Sequence, residues 1–484
     1  MIEKFILFNA FFTVFKILYL INGNTLDYFT NAEHTARAMR VMADMHRRLR
    51  RQSAIRMPNA VNQKKPFDPK LMWKKAVMKV RIINVMKNPS LYQGDVMLTK
   101  QQALHLVEKT RQHLAKKGIR YPIFSFANST RIKRKVAGGN FHKWSMPIHY
   151  FIEQGVNVNN VEMGLRDLQM RTCLRFKRVG HPIPGSPGLH YFFGQGCVSY
   201  IGKIDNTKFQ QISLGSDCNS VSIAQHETLH AMGLFHEQSR IDRDKYIYIV
   251  TQNIIPKHLH NFDIVDKDDS NSYGLPYDYT SIMHYPINLF GINDQQTTSP
   301  KDKTYTFSIG TQEQPTFIDT QTVNIHYCSN ICRQKIFCDN WGYQDPNDCS
   351  KCICPPGFSG RDCGWIGVSP PECGQTIFEA TNKVQGINVN GRKKCYFMIT
   401  SPEGTKIAYK ITEHIISPFY LDSCTYQNSV EIKFWEDKSV SGARYCKTAM
   451  NLPLISHYHQ LIVIYRSNET TNYAVIAFKA VTKF

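Results

Sequence analysis

Apolar residues run almost unbroken from Phe5 to Ile21, interrupted by Asn9, Thr13 and Lys16, with Lys4 before them and Asn22-Gly23 after. A charged start, a short apolar core and small polar residues are the pattern of a secretory signal peptide ending near Gly23. An uncleaved anchor is the competing reading; the run is short for a membrane span, and Lys16 would sit deep within it. Further along, Thr99 to Lys117 has helical character, Met146 to Phe151 reads as a strand, and Asn160 to Leu174 and Ile223 to Leu234 read as helices followed by aromatic-rich loops. Beyond residue 373 the period becomes two. Val430, Ile432 and Phe434 share one strand face and Glu431 and Lys433 the other, and Leu461 to Tyr465 and Tyr473 to Phe478 continue the strand pattern. These patterns predict a mixed α/β stretch followed by an all-β sandwich, with no later segment apolar enough to span a bilayer.

With 484 residues the chain has room for roughly two to four domains. Its 42% hydrophobic and 20% charged content excludes collagen-like and wholly disordered classes. A net charge of +21 suggests nucleic-acid binding until it is located along the chain. Residues 1–134 carry 26 Lys and Arg against 7 Asp and Glu, whereas residues 135–484 carry 33 against 31. The basic excess therefore belongs to the N-terminal quarter, and no nucleic-acid partner is expected. All 14 cysteines lie at or beyond Cys173, and seven crowd between Cys328 and Cys363, the density of a disulfide-stapled module in an oxidising, extracellular compartment. Asn128 and Asn468 begin glycosylation sequons suited to a secreted glycoprotein.

Residues 24–134 read as a loosely organised, removable segment ending in the basic tetrapeptide Arg131-Ile132-Lys133-Arg134. Cleavage there by a secretory-pathway convertase competes with a solvated charge run; the coincident charge shift and cysteine onset favour cleavage.

The densest chemistry lies in His226-Glu227-Thr228-Leu229-His230-Ala231-Met232-Gly233-Leu234-Phe235-His236. On a helix, residues four apart share a face, so the His226 and His230 imidazoles are preset as two nitrogen ligands. Gly233 permits a positive-φ turn that brings His236 round as the third. Three neutral imidazoles hold one Zn²⁺ per subunit and leave a position open for water, which separates a catalytic from a structural site. Glu227 lies beside the ligands, where a carboxylate takes the proton of the attacking water. Downstream, Ser281-Ile282-Met283-His284-Tyr285 matches the Met-turn of metzincins, an apolar floor beneath the metal.

The two motifs, with Glu237 after the third histidine, the run Arg240 to Tyr246, and Tyr285 closing the Met-turn, resemble the astacin family of zinc endopeptidases. The resemblance implies an α+β metzincin-type peptidase domain at 135–328, preceded by a signal peptide (1–23) and a propeptide (24–134). It implies that Tyr285 is an additional metal ligand that swings away to stabilise the tetrahedral oxyanion. It further implies that Glu237 meets the α-amino group of Lys135 once the propeptide is gone. Tyr92-Gln93-Gly94-Asp95 resembles the family's propeptide motif, with Tyr92 where Phe is usual; its aspartate, here Asp95, fills the open metal position in the zymogen. The pairs Cys173 with Cys328 and Cys197 with Cys218 follow from the same resemblance. Six cysteines from Cys332 to Cys363 look like an EGF-like module (329–364), pairing first with third, second with fourth and fifth with sixth. Cys373, Cys395, Cys424 and Cys446 look like a CUB sandwich (373–484), pairing in sequence. Gln427 and Asn428 follow Tyr426 where calcium-binding members place an aspartate, so calcium is not expected there.

Elsewhere the signals are weak. Gly194-Gln195-Gly196 reads as a turn before Cys197, His258 and His260 as surface groups, and no Ser/His/Asp assembly stands out. The expectation is a secreted, zymogen-activated zinc endopeptidase with catalytic Glu227 and Tyr285, metal ligands His226, His230, His236, Tyr285 and, before processing, Asp95. Its substrates would be extracellular proteins or peptides, with matrix or protein partners reached through the EGF-like and CUB modules and no membrane span in the mature chain. The rival is a catalytically silent adhesion protein that keeps the peptidase fold.

Overall fold

The computed structural model describes residues 23–54, 90–121, 143–417, 423–447 and 452–482. The expected signal peptide, apart from its last residue Gly23, and the 131–135 cleavage site lie outside them. Among the described residues, no helix is long and apolar enough to cross a membrane.

The N-terminal segment is better organised than its basic clusters suggest. Helix α1 (Gly23–Ala54) buries Thr35, Ala38, Met39, Met42 and Met45, a stripe at helical spacing that the surrounding arginines obscure in the sequence. Strand β1 (Val96–Met97) follows, then α2 (Lys100–Lys116), which starts at a reciprocal capping box between Thr99 and Gln102. Both helices share a core with Tyr92, Val96 and Ile201.

The next region is built on β2 (Ile148–Ile152), α3 (Val158–Arg171), β3 (Phe176–Arg178), β4 (Gly188–Phe192), β5 (Cys197–Tyr200) and β6 (Phe209–Leu214). The sheet order is β1-β5-β6-β4-β2-β3. Strands β3, β2, β4 and β6 are parallel, and β5 runs antiparallel to β6. Strand β6 is buried at all six positions, as a central strand covered on both faces must be. On one face lies α4 (Val221–Ala231), begun by the Ser220 side chain accepting from the Ile223 amide. Ala224, Leu229, Ala231 and Met232 pack with Val161, Leu165 and Leu168 of α3 and with Tyr191 and Ile212 of the sheet. Complete burial of a side chain such as Leu229 stabilises by about 1.5–3 kcal/mol, enough to fix the rotation of α4 and hence the face its histidines occupy. Strands β7 (Ile247–Ile249) and β8 (Thr298–Pro300) pair nearby, and α5 (Phe317–Cys328) closes the region, tied back to Cys173 through Cys328. Against expectation, His258 and His260 are buried, His258 stacked on Phe290 at 4.5 Å. Short-range polarity in the loop did not reveal the core that forms around them.

All 14 cysteines are paired. The partners are Cys173–Cys328, Cys197–Cys218, Cys332–Cys349, Cys338–Cys352, Cys354–Cys363, Cys373–Cys395 and Cys424–Cys446, the pairing the resemblance implied. The disulfide-rich stretch holds two small hairpins, β9 (Tyr343–Gln344) with β10 (Cys352–Ile353) and β11 (Phe358–Ser359) with β12 (Trp365–Ile366). The C-terminal strands are β13 (Ile377–Glu379), β14 (Gln385–Asn390), β15 (Lys394–Thr400), β16 (Thr405–Ile415), β17 (Ser429–Lys433), β18 (Ala443–Tyr445), β19 (Leu454–Ile455), β20 (Gln460–Arg466) and β21 (Tyr473–Thr482). They form two sheets, β13-β15-β20-β17-β18 and β14-β21-β16-β19. Phe397, Val430, Ile432 and Val463 of the first meet Ile387, Ile411 and Ile476 of the second, a sandwich core.

The outer face of the five-stranded sheet is covered as well. Ile462 and Ile464 pack on Cys352, Phe358 and Cys363 of the disulfide-rich stretch. Alternation along β17 holds, yet Glu431 and Lys433 are buried too, because residues 278–313 of the preceding region close over them. Ser308 Oγ accepts from the Arg444 amide at 2.7 Å, Tyr305 donates to the Ser441 carbonyl at 3.0 Å, and Ser441 donates to Asp278 at 2.8 Å. Trp435 lies within a cage of Tyr246, Tyr279 and Tyr305, with ring centres 6.0–6.5 Å away. The sandwich therefore braces the segment that carries Met283 and Tyr285.

Candidate metal centre

Helix α4 presents His226 and His230 one turn apart, with ring centres 4.7 Å from each other. The helix ends where Gly233 takes φ +103°, a conformation open to glycine at little cost, and the chain turns back to bring His236 within 4.7 Å of His230 and 5.3 Å of His226. All three rings are buried. Each Nδ1 has an outer partner: the Ile282 carbonyl for His226 and the Leu234 carbonyl for His230, both at 2.8 Å, and the Gln93 side-chain oxygen for His236 at 2.7 Å. With Nδ1 occupied, the Nε2 atoms are left for the centre of the cluster.

Asp95 joins them from the N-terminal segment. Its Oδ2 lies 3.3, 3.8 and 3.1 Å from Nε2 of His226, His230 and His236. It arrives on an added strand: β1 pairs in parallel with β5, and the Ser199 amide donates to the Asp95 carbonyl at 3.1 Å. Gln93 and Gly94, both at positive φ, make the turn into that strand.

Among the described residues, Asp95, His226, His230 and His236 are the one group whose ligand atoms gather closely, all within 4.8 Å of one another. A tetrahedral zinc with ligand bonds of about 2.0–2.1 Å has ligand-to-ligand edges of about 3.3–3.4 Å, close to the separations at His226 and His236 and shorter than the 3.8 Å at His230. Asp95 Oδ1 and His230 Nε2 are buried without a hydrogen-bond partner, the condition of donors arranged for an ion. Burial drives His230 below its ordinary pKa and His236 down to about 4, the latter against the pull of Asp95, so both favour the neutral form that binds metal. Burial works to raise Asp95, but its interactions with His236, at 3.1 Å, and with the other two imidazoles outweigh it and hold the group well below the carboxylate range.

Glu227 is fully buried, and neither of its carboxylate oxygens has a partner. Burial, and then the charge of Asp95, raise it well above the usual carboxylate range. Tyr285 lies with its ring centre 4.6 Å from that of His236, while its hydroxyl donates to the Gln93 carbonyl at 2.5 Å. The structure thus groups the three histidines and Asp95, with Glu227 on the same helix, and engages Tyr285 with the segment that delivers Asp95. Met283 is buried, with its carbonyl accepting from the Glu237 amide at 3.0 Å. The Glu237 carboxylate accepts from Arg240 at 3.1 Å and from the Asp278 amide at 2.9 Å; burial, opposed by Arg240, raises its pKa to about 7.

Several supporting residues escaped the sequence reading. Asp319 accepts from Ser281 Oγ at 2.6 Å and from the Ile282 amide at 3.0 Å while also completing the α5 cap, so one carboxylate starts a helix and anchors the Met-turn. The Thr316-to-Asp319 capping spacing was the available signal. Gln238 accepts from the Tyr285 amide at 3.0 Å, and Tyr277 and His284 share a hydrogen bond at 2.7 Å; nothing local marks either.

A sheet backed by a helix with paired histidines, a glycine turn to a third, and a methionine-bearing turn below them define a metzincin-type zinc peptidase domain. Residues 137–328 match the family model described as Astacin, a peptidase family. The zinc metalloproteinase nas-34 of Caenorhabditis elegans is 35% identical over 383 residues, covering 78% of this chain and 62% of that protein. The zinc metalloproteinase nas-23 of the same organism is 30% identical over 396 residues, covering 78% of this chain and 69% of its own. The chain thus spans about three-fifths to two-thirds of the length of these relatives. High choriolytic enzyme 1, a hatching enzyme zinc-protease from Oryzias latipes, is 29% identical across 41% of this chain and 98% of its own, with a TM-score of 0.35. The chain belongs to the astacin family of zinc peptidases, and the four-residue cluster is a His-rich group able to hold a metal ion.

Proposed function

We propose that the chain is a secreted zinc-dependent endopeptidase of extracellular proteins, made as a zymogen and activated by cleavage after Arg134. The observation that carries this reading is the buried convergence of three imidazole nitrogens on Asp95, with an unpartnered Glu227 one residue from the first ligand. His226, His230 and His236 would hold the zinc, which when bound supplies Lewis-acid polarisation of the scissile carbonyl and eases deprotonation of water.

In the latent chain Asp95 takes the place of that water. Departure of the propeptide reopens that position. Glu227 then accepts the proton of the attacking water and delivers it to the leaving amine nitrogen. Tyr285, freed from the Gln93 carbonyl, becomes available to donate its hydroxyl hydrogen to the oxyanion. A cavity of about 360 Å³ beside Glu237, lined by Arg240, Ser270, Tyr273 and His326, suits the reading in which the new Lys135 amino group docks on Glu237. The disulfide-rich stretch is read as the EGF-like module (329–364) and the sandwich as the CUB domain (373–484), surfaces for recruiting substrate or matrix.

The test compares peptide cleavage by the full chain, the chain trimmed to begin at Lys135, and its Glu227→Gln form, each with and without a chelator. Cleavage by the trimmed chain alone, abolished by chelator and by Glu227→Gln, supports the reading. A trimmed chain that carries zinc and cuts nothing would favour the adhesive alternative.

A further inference from the structure

The outer partners of the three imidazoles divide unequally. His226 and His230 are oriented by carbonyls of the peptidase domain itself, Ile282 and Leu234, but His236 is oriented by a side chain of the N-terminal segment, Gln93. That carboxamide is fully buried and fixed at its other end, where Nε2 donates to Ser239 Oγ at 2.8 Å and to the Tyr92 hydroxyl at 3.1 Å. Its backbone sits at φ +50°, a strained value for a residue with a Cβ, held while the neighbouring Asp95 enters the cluster. The direction of the amide follows from chemistry. An imidazole that offers Nε2 to a metal carries its hydrogen on Nδ1, so the group at 2.7 Å must accept, and the amide nitrogen must then face the Ser239 oxygen.

We propose that Gln93 is a positioning residue for the metal site, holding the tautomer and ring plane of His236 so that the latent chain retains zinc more tightly than the processed one. Resting on the zinc reading above, the inference adds that the propeptide supplies an outer-shell hydrogen bond as well as the Asp95 ligand. Removing an outer partner of a metal-bound imidazole typically costs about 10- to 100-fold in metal affinity. Cleavage would therefore expose the site to water and loosen its third ligand in one event.

The experiment follows zinc release from the full-length chain to a chromophoric chelator. Gln93→Leu, which keeps the side chain's bulk and loses the acceptor, is expected to speed release by about 10- to 100-fold. Gln93→Glu should release at or below the wild-type rate, because a carboxylate still accepts from Nδ1 while the Ser239 and Tyr92 hydroxyls turn to donate to it. That rescue separates orientation of His236 from simple filling of the site. Should Gln93→Leu fail to fold, Ser239→Ala decides the matter: it removes the far anchor of the amide and should speed release several-fold. Wild-type release from a stoichiometrically loaded Gln93→Leu chain, or from Ser239→Ala where the first variant misfolds, overturns the inference alone. A wild-type chain that binds no zinc overturns the zinc reading and this inference with it.

Discussion

Replacing Glu431 by glutamine tests whether the buried charge cluster facing the peptidase region holds the C-terminal sandwich together. Glu431 is 2% exposed on β17, accepts from Arg466 Nη1 at 2.7 Å and from the Gly442 amide at 2.8 Å, and lies 4.0 Å from Arg444 Nε. Arg444 in turn reaches Glu313 across the interface at 3.2 Å. Burial opposes the charge of Glu431, but Arg466, Arg444 and Lys433 outweigh it and bring its pKa from 4.5 to about 2. A drop of that size corresponds to roughly 3 kcal/mol of stabilisation by the ionised form. Because the folded value lies below the unfolded one, this contribution is present above pH 4.5 and is lost as pH falls through about 2. An independent expectation, about 3–5 kcal/mol for stripping one partner from a buried ion pair, agrees. Hydrogen exchange at the β17, β18 and β20 amides provides a local measure, corrected for intrinsic rates. Glu431→Gln should lower protection roughly a hundredfold at pH 7, and its gap from wild type should shrink to less than half by about pH 3. Unchanged protection at pH 7, or a gap that persists undiminished in acid, would refute the reasoning.

Gly310 has φ +67°, and a Cβ there would lie 2.1 Å from the Tyr285 carbonyl oxygen. Gly310→Ala should cost about 2–5 kcal/mol from backbone strain and overpacking, lowering the thermal midpoint and the cleavage rate together; an unaltered midpoint contradicts this. Tyr285→Phe in the processed enzyme should reduce kcat by about 10²- to 10³-fold with zinc content unchanged, and full activity would remove the hydroxyl from the mechanism. His46 on α1 meets Asp263 at 2.9 Å; burial opposes its charge, yet Asp263 raises its pKa above 6.5. Docking of α1 should therefore be firmest below pH 6.5 and weaken as pH climbs through the docked value, seen as rising protease sensitivity of α1. His46→Gln should flatten that dependence, and an identical pH response in both chains would speak against the bridge.

The metal helix was legible because its chemistry restricts residue identity: His226, Glu227, His230, Gly233 and His236 tolerate few replacements at fixed spacings, whatever the surroundings. Asp95 became legible only through resemblance, since its effect depends on a contact across 131 residues with His226. Gln93, Gln238 and Asp319 act through partners 143, 47 and 38 positions away and are ordinary residue types, so periodicity could not mark them. Burial of Glu431, Lys433, His258 and His260 was hidden for a related reason. A strand or loop pattern tells which side chains share a face but not what covers that face. In α1 the apolar stripe through Met39, Met42 and Met45 was present all along, masked by the basic residues around it.

The most direct measurement is zinc-edge X-ray absorption on the purified full-length chain together with its metal content. The expected result is one zinc per chain, bound by three imidazole nitrogens and one carboxylate oxygen at about 2.0–2.2 Å. A chain free of zinc, or a metal whose shell lacks the three imidazoles, would contradict it.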